Sequence, residues 1–75
     1  MKSATSTLDI GLRINGESRR VPVGATVEAV LESMSIDPRL VAVELDGRIV
    51  PRTERASTVV AEGARLEIVR FVQGG

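Results

Sequence analysis

The last residues of the chain are the first candidates for a chemical role. The sequence RFVQGG (residues 70–75) follows a stretch with the apolar pattern of a β-strand and ends in Gly74 and Gly75. Glycine loses more conformational entropy on ordering than any other residue, so this pair is a poor end for a strand and suits a thin, mobile peptide. A frayed terminus would look the same, because chain termini are commonly disordered. The tail alone does not decide between these two interpretations.

The side chains that most often carry catalysis or bind metals are missing. The 75-residue chain contains no His and no Cys. It therefore lacks the commonest general base, the commonest metal ligand and any thiolate or disulfide site. We expect no catalytic residue and no metal site, and the lack of cysteine fits a reducing cytoplasm.

The charge balance argues against nucleic acids and membranes as partners. Ten Lys and Arg residues are interspersed with ten Asp and Glu residues. Binders of nucleic acids and membrane surfaces usually carry a basic excess. Phe71 is the lone aromatic residue, so there is no stacking platform for single strands. No apolar run approaches the length of a membrane span. We expect one small cytoplasmic domain with neither kind of partner.

The elements that must position the tail begin with a β-hairpin. Apolar residues at positions 8, 10, 12 and 14 alternate with other residues, the period of a half-buried strand. Asn15 and Gly16 then form a dipeptide suited to a hairpin turn. A two-residue loop would set Arg19 opposite Leu12, on the apolar face. We therefore predict a four-residue loop over 15–18, which pairs Leu12 with Val21.

A single amphipathic helix follows the hairpin. Thr26 is a natural N-cap, and the apolar residues at positions 27, 30, 31 and 34 have the spacing of one helical face. The helix should end near Ser35, because Asp37 precedes Pro38 and the residue before a proline avoids helical backbone.

The second half of the chain predicts a second hairpin and a final strand. Residues 41–45 alternate, Asp46 and Gly47 form a turn, and residues 48–50 make a short return strand. Residues 52–57 should contain one helical turn, after which Val59 and Val60 cover the core. The final strand, over 65–72, is apolar on both sides, which favours the centre of a sheet.

These elements predict an α+β fold with one main helix packed across a mixed sheet of four to five strands. A final strand beside the first would run parallel to it, with the helix in the crossover. This is the β-grasp, or ubiquitin-like, layout. We expect a disordered extension over 1–7, the domain over 8–70, and a flexible tail over 71–75 that projects from a rigid body.

Three stretches resemble the ThiS-type sulfur carrier proteins of thiamin biosynthesis. They are NGESRRVPVGATVEAVLE (15–32), VAVELDGRIVPRTE (41–54) and GARLEIVRFVQGG (63–75). The second stretch, paired with a terminal Gly-Gly, is the most specific part of the resemblance. The family consists of β-grasp domains, in agreement with the pattern above.

The resemblance implies carrier chemistry at Gly75. An adenylating enzyme, related to those that activate ubiquitin, would join the carboxylate of Gly75 to AMP from ATP. A persulfide supplied by a cysteine desulfurase would displace AMP and leave a thiocarboxylate, whose sulfur would pass to thiazole synthase. The carrier itself would bind no cofactor, ATP being used by the activating partner.

The resemblance also implies roles for neighbouring residues. Gly74 and Gln73 would thread into a partner's channel, although many family members have Gly where this chain has Gln73. Phe71, Val72 and Arg52 are candidates for partner docking, and Phe71 could equally close the edge of the core. The arginines of the first hairpin could dock an acidic partner, but we favour a solvated face, as is usual for exposed charges. They are Arg13, Arg19 and Arg20.

Three other functions stay open. The chain could carry sulfur for another product, as the small subunit of molybdopterin synthase does. It could be a protein modifier that forms isopeptide bonds to lysines, as ubiquitin does. It could also be an interaction domain whose Gly-Gly is incidental. An enzyme proper is the least favoured function, because the chain has no His or Cys.

Overall fold

The computed structural model describes residues 9–71, and the predicted extension over 1–7 and the tail from Val72 onward lie outside this range. In chain order, the elements are β1 (Asp9–Ile14), β2 (Glu17–Pro22), α1 (Val27–Ser33), β3 (Val41–Leu45), β4 (Arg48–Ile49) and β5 (Arg65–Arg70). Two short 3-10 turns lie at Pro38–Leu40 and Arg52–Glu54. The second is the helical turn expected over 52–57.

The final strand lies at the centre of a five-stranded sheet, as predicted. The strand order is β2-β1-β5-β3-β4. β5 runs parallel to β1, with Arg13 opposite Arg65, and antiparallel to β3, with Val43 opposite Ile68. The mixed sheet with one helix confirms the α+β, β-grasp architecture. In this architecture the tail starts at the end of β5, the strand that is paired with another strand on each side.

The first hairpin has a two-residue loop, so the predicted four-residue loop is wrong. Arg19 lies opposite Leu12, and Val21 lies opposite Ile10 rather than Leu12. Asn15 and Gly16 adopt φ values of 52° and 84°, the geometry that matches the twist of a tight hairpin. Arg19 is tolerated there because β2 is an edge strand. Its long side chain reaches solvent, with Nη2 at 3.9 Å from Glu17 Oε1.

The helix begins as predicted and ends earlier. The Thr26 hydroxyl oxygen accepts the Ala29 N–H at 3.1 Å, which satisfies one of the free amides at the helix start. The helix ends at Ser33, and Ser35 adopts a positive φ of 58°. Its apolar face packs on one face of the sheet in a core of twelve buried residues: Ile10, Leu12, Ile14, Val21, Val27, Val30, Leu31, Val41, Val43, Val60, Ala64 and Leu66.

Two valines that were expected to cover the core differ in burial. Val60 is 2% exposed, but Val59 is 54% exposed, so the expectation is wrong for Val59. Adjacent residues in extended chain point in opposite directions, so only one of the pair can enter the core.

No helix within residues 9–71 is long and apolar enough to cross a membrane.

The sheet face opposite the helix, here called the open face, carries no layer of secondary structure among the described elements. Alternate residues of a strand share a face. Leu66 of β5 is buried against the helix side. Arg65, Glu67, Val69 and Phe71 therefore follow one another along the open face. This face has a basic end at the start of β5 and an apolar end where the strand leads into the tail.

Candidate functional site

The structure describes the base of the tail as far as Phe71. Val72, Gln73, Gly74 and Gly75 lie outside the described residues, so their predicted roles stay predictions. The Phe71 N–H donates to the Leu40 carbonyl oxygen at 2.8 Å. This hydrogen bond extends the pairing of β3 and β5 by one residue beyond Arg70. The base of the tail is thus held on its β3 side.

Asn15 holds the other side of β5. Its Oδ1 accepts the Ile68 N–H at 2.7 Å, its Nδ2 donates to the Ile68 carbonyl oxygen at 3.2 Å, and its backbone N–H donates to Leu66 at 2.9 Å. β1 ends at Ile14, so the side-chain amide takes the place of a further strand residue. The sequence predicts Asn15 as a turn residue only. The side-chain amide of Asn15 is the one sequence feature that indicates this role, because it carries both a hydrogen-bond donor and an acceptor and can pair with both backbone groups of a strand residue.

Arg55 fixes the segment that receives Phe71, a role that the sequence does not predict. The residue is 5% exposed. Its guanidinium donates from Nη1 to the Pro38 carbonyl and from Nη2 to the Val41 carbonyl, both at 2.8 Å. These two carbonyls flank Leu40, whose own carbonyl accepts the Phe71 N–H. Arg55 therefore anchors the strip of backbone against which the tail begins.

Burial leaves the Arg55 guanidinium in an unfavourable electrostatic position. Burial lowers the pKa of Arg55, and the nearby positive charge of Arg52 lowers this pKa further. The Nε atom is buried and has no hydrogen-bond partner among the described residues. An arginine remains charged at neutral pH all the same. Nothing in the sequence distinguishes Arg55 from its exposed neighbours, because its burial depends on the path of the chain around Pro38.

Arg52 is exposed and lies at the same end of the fold as the base of the tail. The pKa of Arg55 is lowered mainly by burial and the pKa of Asp37 mainly by hydrogen bonds from Arg39, and the positive charge of Arg52 adds a smaller lowering to each. Asp37 immediately precedes the 3-10 turn Pro38–Leu40, where its side chain caps the turn by accepting the Arg39 N–H at 3.0 Å. Arg52 is thus available at the tail end of the molecule, as a docking residue would need to be.

Phe71 is exposed rather than part of the core. Its side chain is 49% exposed, and it lies outside the buried cluster. Val69, 56% exposed, pairs across the strands with Ala42 on the same open face. Ile49 belongs to this face as well, because it lies opposite Glu44, two residues from Ala42. We call Ala42, Ile49, Val69 and Phe71 the tail-side apolar patch.

The described residues offer little to a metal ion. Within residues 9–71, no three His, Cys, Asp or Glu side chains come close enough together to hold one. Exposed apolar residues next to a fixed chain exit are features of a surface that binds another protein. The site is therefore described as the base of the tail with an adjoining exposed apolar patch.

Most of the chain matches known proteins in sequence and in fold. The model of the ThiS family matches residues 12–75. A crystal structure of the thiamine biosynthesis protein ThiS from Geobacter metallireducens superposes with a TM-score of 0.78 at 28% identity, covering 88% of this chain and 100% of that one.

Two curated relatives are larger proteins. A thiazole synthase of Paramagnetospirillum magneticum is 47% identical over 64 residues, and one of Magnetococcus marinus is 33% identical over 64 residues. Each match covers 85% of this chain and 20% of the relative. The chain thus spans about a fifth of the length of the curated relatives it matches.

The family match covers most of the chain, up to Gly75, and the fold agrees with that of the ThiS structure. The chain therefore belongs to the ThiS family of ubiquitin-like sulfur carriers.

Proposed function

We propose that this protein carries sulfur for thiamin biosynthesis, as a co-substrate of partner enzymes rather than as an enzyme. The observation that carries the proposal is the held base of the tail. β5 is central, bonded on one side through Asn15 and on the other through Leu40. The family match continues through the four residues beyond Phe71 to Gly75.

The length of the tail fits delivery of its carboxylate into another protein. Four residues in extended conformation span at most about 14 Å. A rigid body that ends at Phe71 would thus let the carboxylate of Gly75 enter a partner's active site to about that depth. Gly74 and Gly75 have no Cβ atoms, so a narrow channel could admit them.

The proposed chemistry proceeds at the carboxyl carbon of Gly75. An adenylating enzyme joins one carboxylate oxygen to the α-phosphorus of ATP and releases pyrophosphate, which turns a poor electrophile into a mixed anhydride. A persulfide, derived from a cysteine desulfurase, then attacks the carbon and expels AMP. A second thiol reduces the sulfur–sulfur bond of the resulting acyl disulfide and releases the thiocarboxylate. We propose that the partners supply the general base for these steps.

The curated relatives support thiazole synthase as the receiver of the sulfur. Proteins named thiazole synthase contain a segment similar to nearly all of this chain. Joining a carrier and its acceptor in one chain raises their effective concentration. We infer that a thiazole synthase likewise receives the sulfur carried by this chain.

An extension of the tail tests this function. Appending one Ala after Gly75 moves the carboxylate by one residue and leaves the body of the protein unchanged. We expect sulfur transfer to thiazole synthase, measured as thiazole formation with the purified partners, to be abolished, while the thermal unfolding midpoint is unchanged. Replacing Lys2 with Ala, at the other end of the chain, is the matched control and should retain activity. Full activity of the extended protein would contradict the carrier function.

A further inference from the structure

A basic cleft lies on the open face, away from the tail. It measures about 840 Å³, and the charged residues of its lining that the strand register places on the open face are Arg13, Arg20, Arg65 and Glu67. The whole chain has equal numbers of basic and acidic residues. The excess of positive charge is therefore created by the fold, which brings the first hairpin and the start of β5 together.

The strand register places like charges side by side in this cleft. Arg13 of β1 and Arg65 of β5 are directly opposite in the parallel pairing. Arg20 lies opposite Gly11, two residues from Arg13 on the same face. Like charges on directly opposite residues destabilise a sheet. An arrangement that costs stability in the isolated protein is expected to be relieved by an anionic partner.

The charges in the cleft are only partly neutralised. Arg19 is not one of them, because it lies opposite Leu12 on the helix side, with the carboxylate of Glu17 at 3.9 Å. Arg13 and Arg20 donate to the backbone carbonyls of Gly16 and Asp9, at 3.1 Å and 3.4 Å. Among the described residues, no acidic side chain forms an ion pair with Arg13, Arg20 or Arg65.

Three carboxylates adjoin the cleft without forming ion pairs with these arginines. Glu62 Oε1 accepts the Gly11 N–H at 3.1 Å, and Asp46 Oδ1 accepts the backbone N–H of Arg65 at 2.9 Å. The third is Glu67, which lies opposite Glu44 across β5 and β3. A long polyanion such as a nucleic acid would meet this second like-charge pair as it crossed the open face. The arrangement favours discrete carboxylates on a protein surface over a continuous phosphate backbone.

The cleft and the tail-side apolar patch belong to one surface. Arg65 and Phe71 share the open face and are six residues apart on one strand, or about 20 Å. A protein interface of standard size buries about 800 Å² on each side, which is wide enough to cover both. A partner that takes up the tail and covers the apolar patch therefore also reaches the arginines.

We propose that Arg13, Arg20 and Arg65 dock an acidic surface of the enzyme that activates the C-terminus. This proposal rests on the proposed function and adds the chemistry of the partner's contact surface. The apolar patch and the tail supply the close contacts, and the arginine cluster orients the two proteins during encounter. Charge pairs of this kind chiefly affect the association rate and its salt dependence.

The test is charge reversal in the cleft. Arg65→Glu replaces the like-charge pair with an opposite-charge pair facing Arg13, so the fold should be retained. Arg48→Glu is the matched control, since Arg48 is an exposed arginine of the edge strand β4 outside the cleft. The readout is ATP–pyrophosphate exchange by the purified adenylating enzyme from the same organism, at varied concentrations of the carrier.

We expect Arg65→Glu to raise KM by about tenfold with kcat unchanged, and Arg48→Glu to stay within about twofold of the original chain. The effect of Arg65→Glu should also shrink as salt concentration rises, because salt screens exposed charges. Equal KM values for the two variants, with normal exchange by the original chain, would overturn the docking site alone. Absence of exchange with the original chain would contradict the proposed function, and the docking site with it.

Discussion

The side-chain amide of Asn15 hydrogen bonds to both backbone polar groups of Ile68, at 2.7 Å and 3.2 Å. A residue of the first turn thereby substitutes for a strand beside β5, seven residues before Gly75. With the bond from Phe71 to Leu40 on the other side, it sets the point at which the chain can leave the sheet.

Loss of the Asn15 amide should loosen the end of β5. Asn15→Gly keeps the positive φ of the turn but removes both hydrogen bonds to Ile68. We expect a loss of about 1–2 kcal/mol in the free energy of unfolding, and faster hydrogen exchange at the Ile68 amide. Asp46→Gly alters the equivalent position of the second turn and removes the side-chain hydrogen bond to the Arg65 N–H at 2.9 Å, so it should speed exchange at Arg65 and leave exchange at Ile68 unchanged. Unchanged exchange at Ile68 would contradict this role for Asn15.

Removal of the Arg55 guanidinium should destabilise the fold around the tail base. Arg55→Ala leaves the carbonyls of Pro38 and Val41 without their donors, and we expect a cost of about 2–4 kcal/mol. Urea denaturation measures it. Arg52→Ala, three residues earlier and exposed, should change stability by less than about 0.5 kcal/mol. Similar small effects of both substitutions would show that Arg55 does not anchor this segment.

The stability of the 3-10 turn at Pro38–Leu40 should depend on pH through Asp37. Hydrogen bonds from the Arg39 side chain and backbone lower the pKa of Asp37, with smaller charge effects from Arg39 and Arg52. A lowered folded-state pKa stabilises the protein above the unfolded-state value, near 3.9, and this contribution is lost as pH falls through the folded value.

Asp37→Asn keeps an acceptor for the turn and removes the charge. Urea denaturation should therefore find the variant less stable than the original chain at about pH 6, with the difference shrinking as pH falls below the unfolded-state pKa and vanishing below the lowered folded-state pKa. Arg39→Gln should behave in the same way. A difference that is constant across this range would rule out a charge effect at Asp37.

The like-charge pair of Glu44 and Glu67 should be a source of instability. They are directly opposite in the antiparallel pairing of β3 and β5. Glu67→Gln removes the repulsion, and we expect a gain of about 0.5 kcal/mol. In a double-mutant cycle, Glu44→Gln should then add little to it. Additive gains from the two changes would show that the carboxylates do not interact.

Much of this fold could be predicted from local patterns. The Thr26 cap, the apolar stripe of the helix and the two-sided apolar β5 each reflect a periodicity that burial enforces. The hairpin loop was mispredicted because pairing Arg19 with Leu12 looked unfavourable, whereas an edge strand lets a long side chain reach water. Turn geometry at Asn15 and Gly16 was the stronger constraint.

The residues that hold the tail base could not be predicted from spacing. Asn15 meets Ile68 across 53 positions, and Arg55 meets Val41 across 14. Such contacts depend on where the sheet ends and on which carbonyls lack hydrogen-bond partners. Neither feature can be predicted from the local spacing of apolar residues. The basic cleft likewise arises only when the register sets Arg13 beside Arg65.

The intact mass of the protein purified from its own cells, without a C-terminal tag, tests the central claim most directly. The carrier function predicts a fraction in which one oxygen is exchanged for sulfur, localised to Gly75 by fragmentation. The same species should form in vitro with ATP, the adenylating enzyme, a cysteine desulfurase and a thiol. A plain carboxylate under all these conditions would contradict the account, and lysine-linked conjugates in the extract would point to a protein modifier instead.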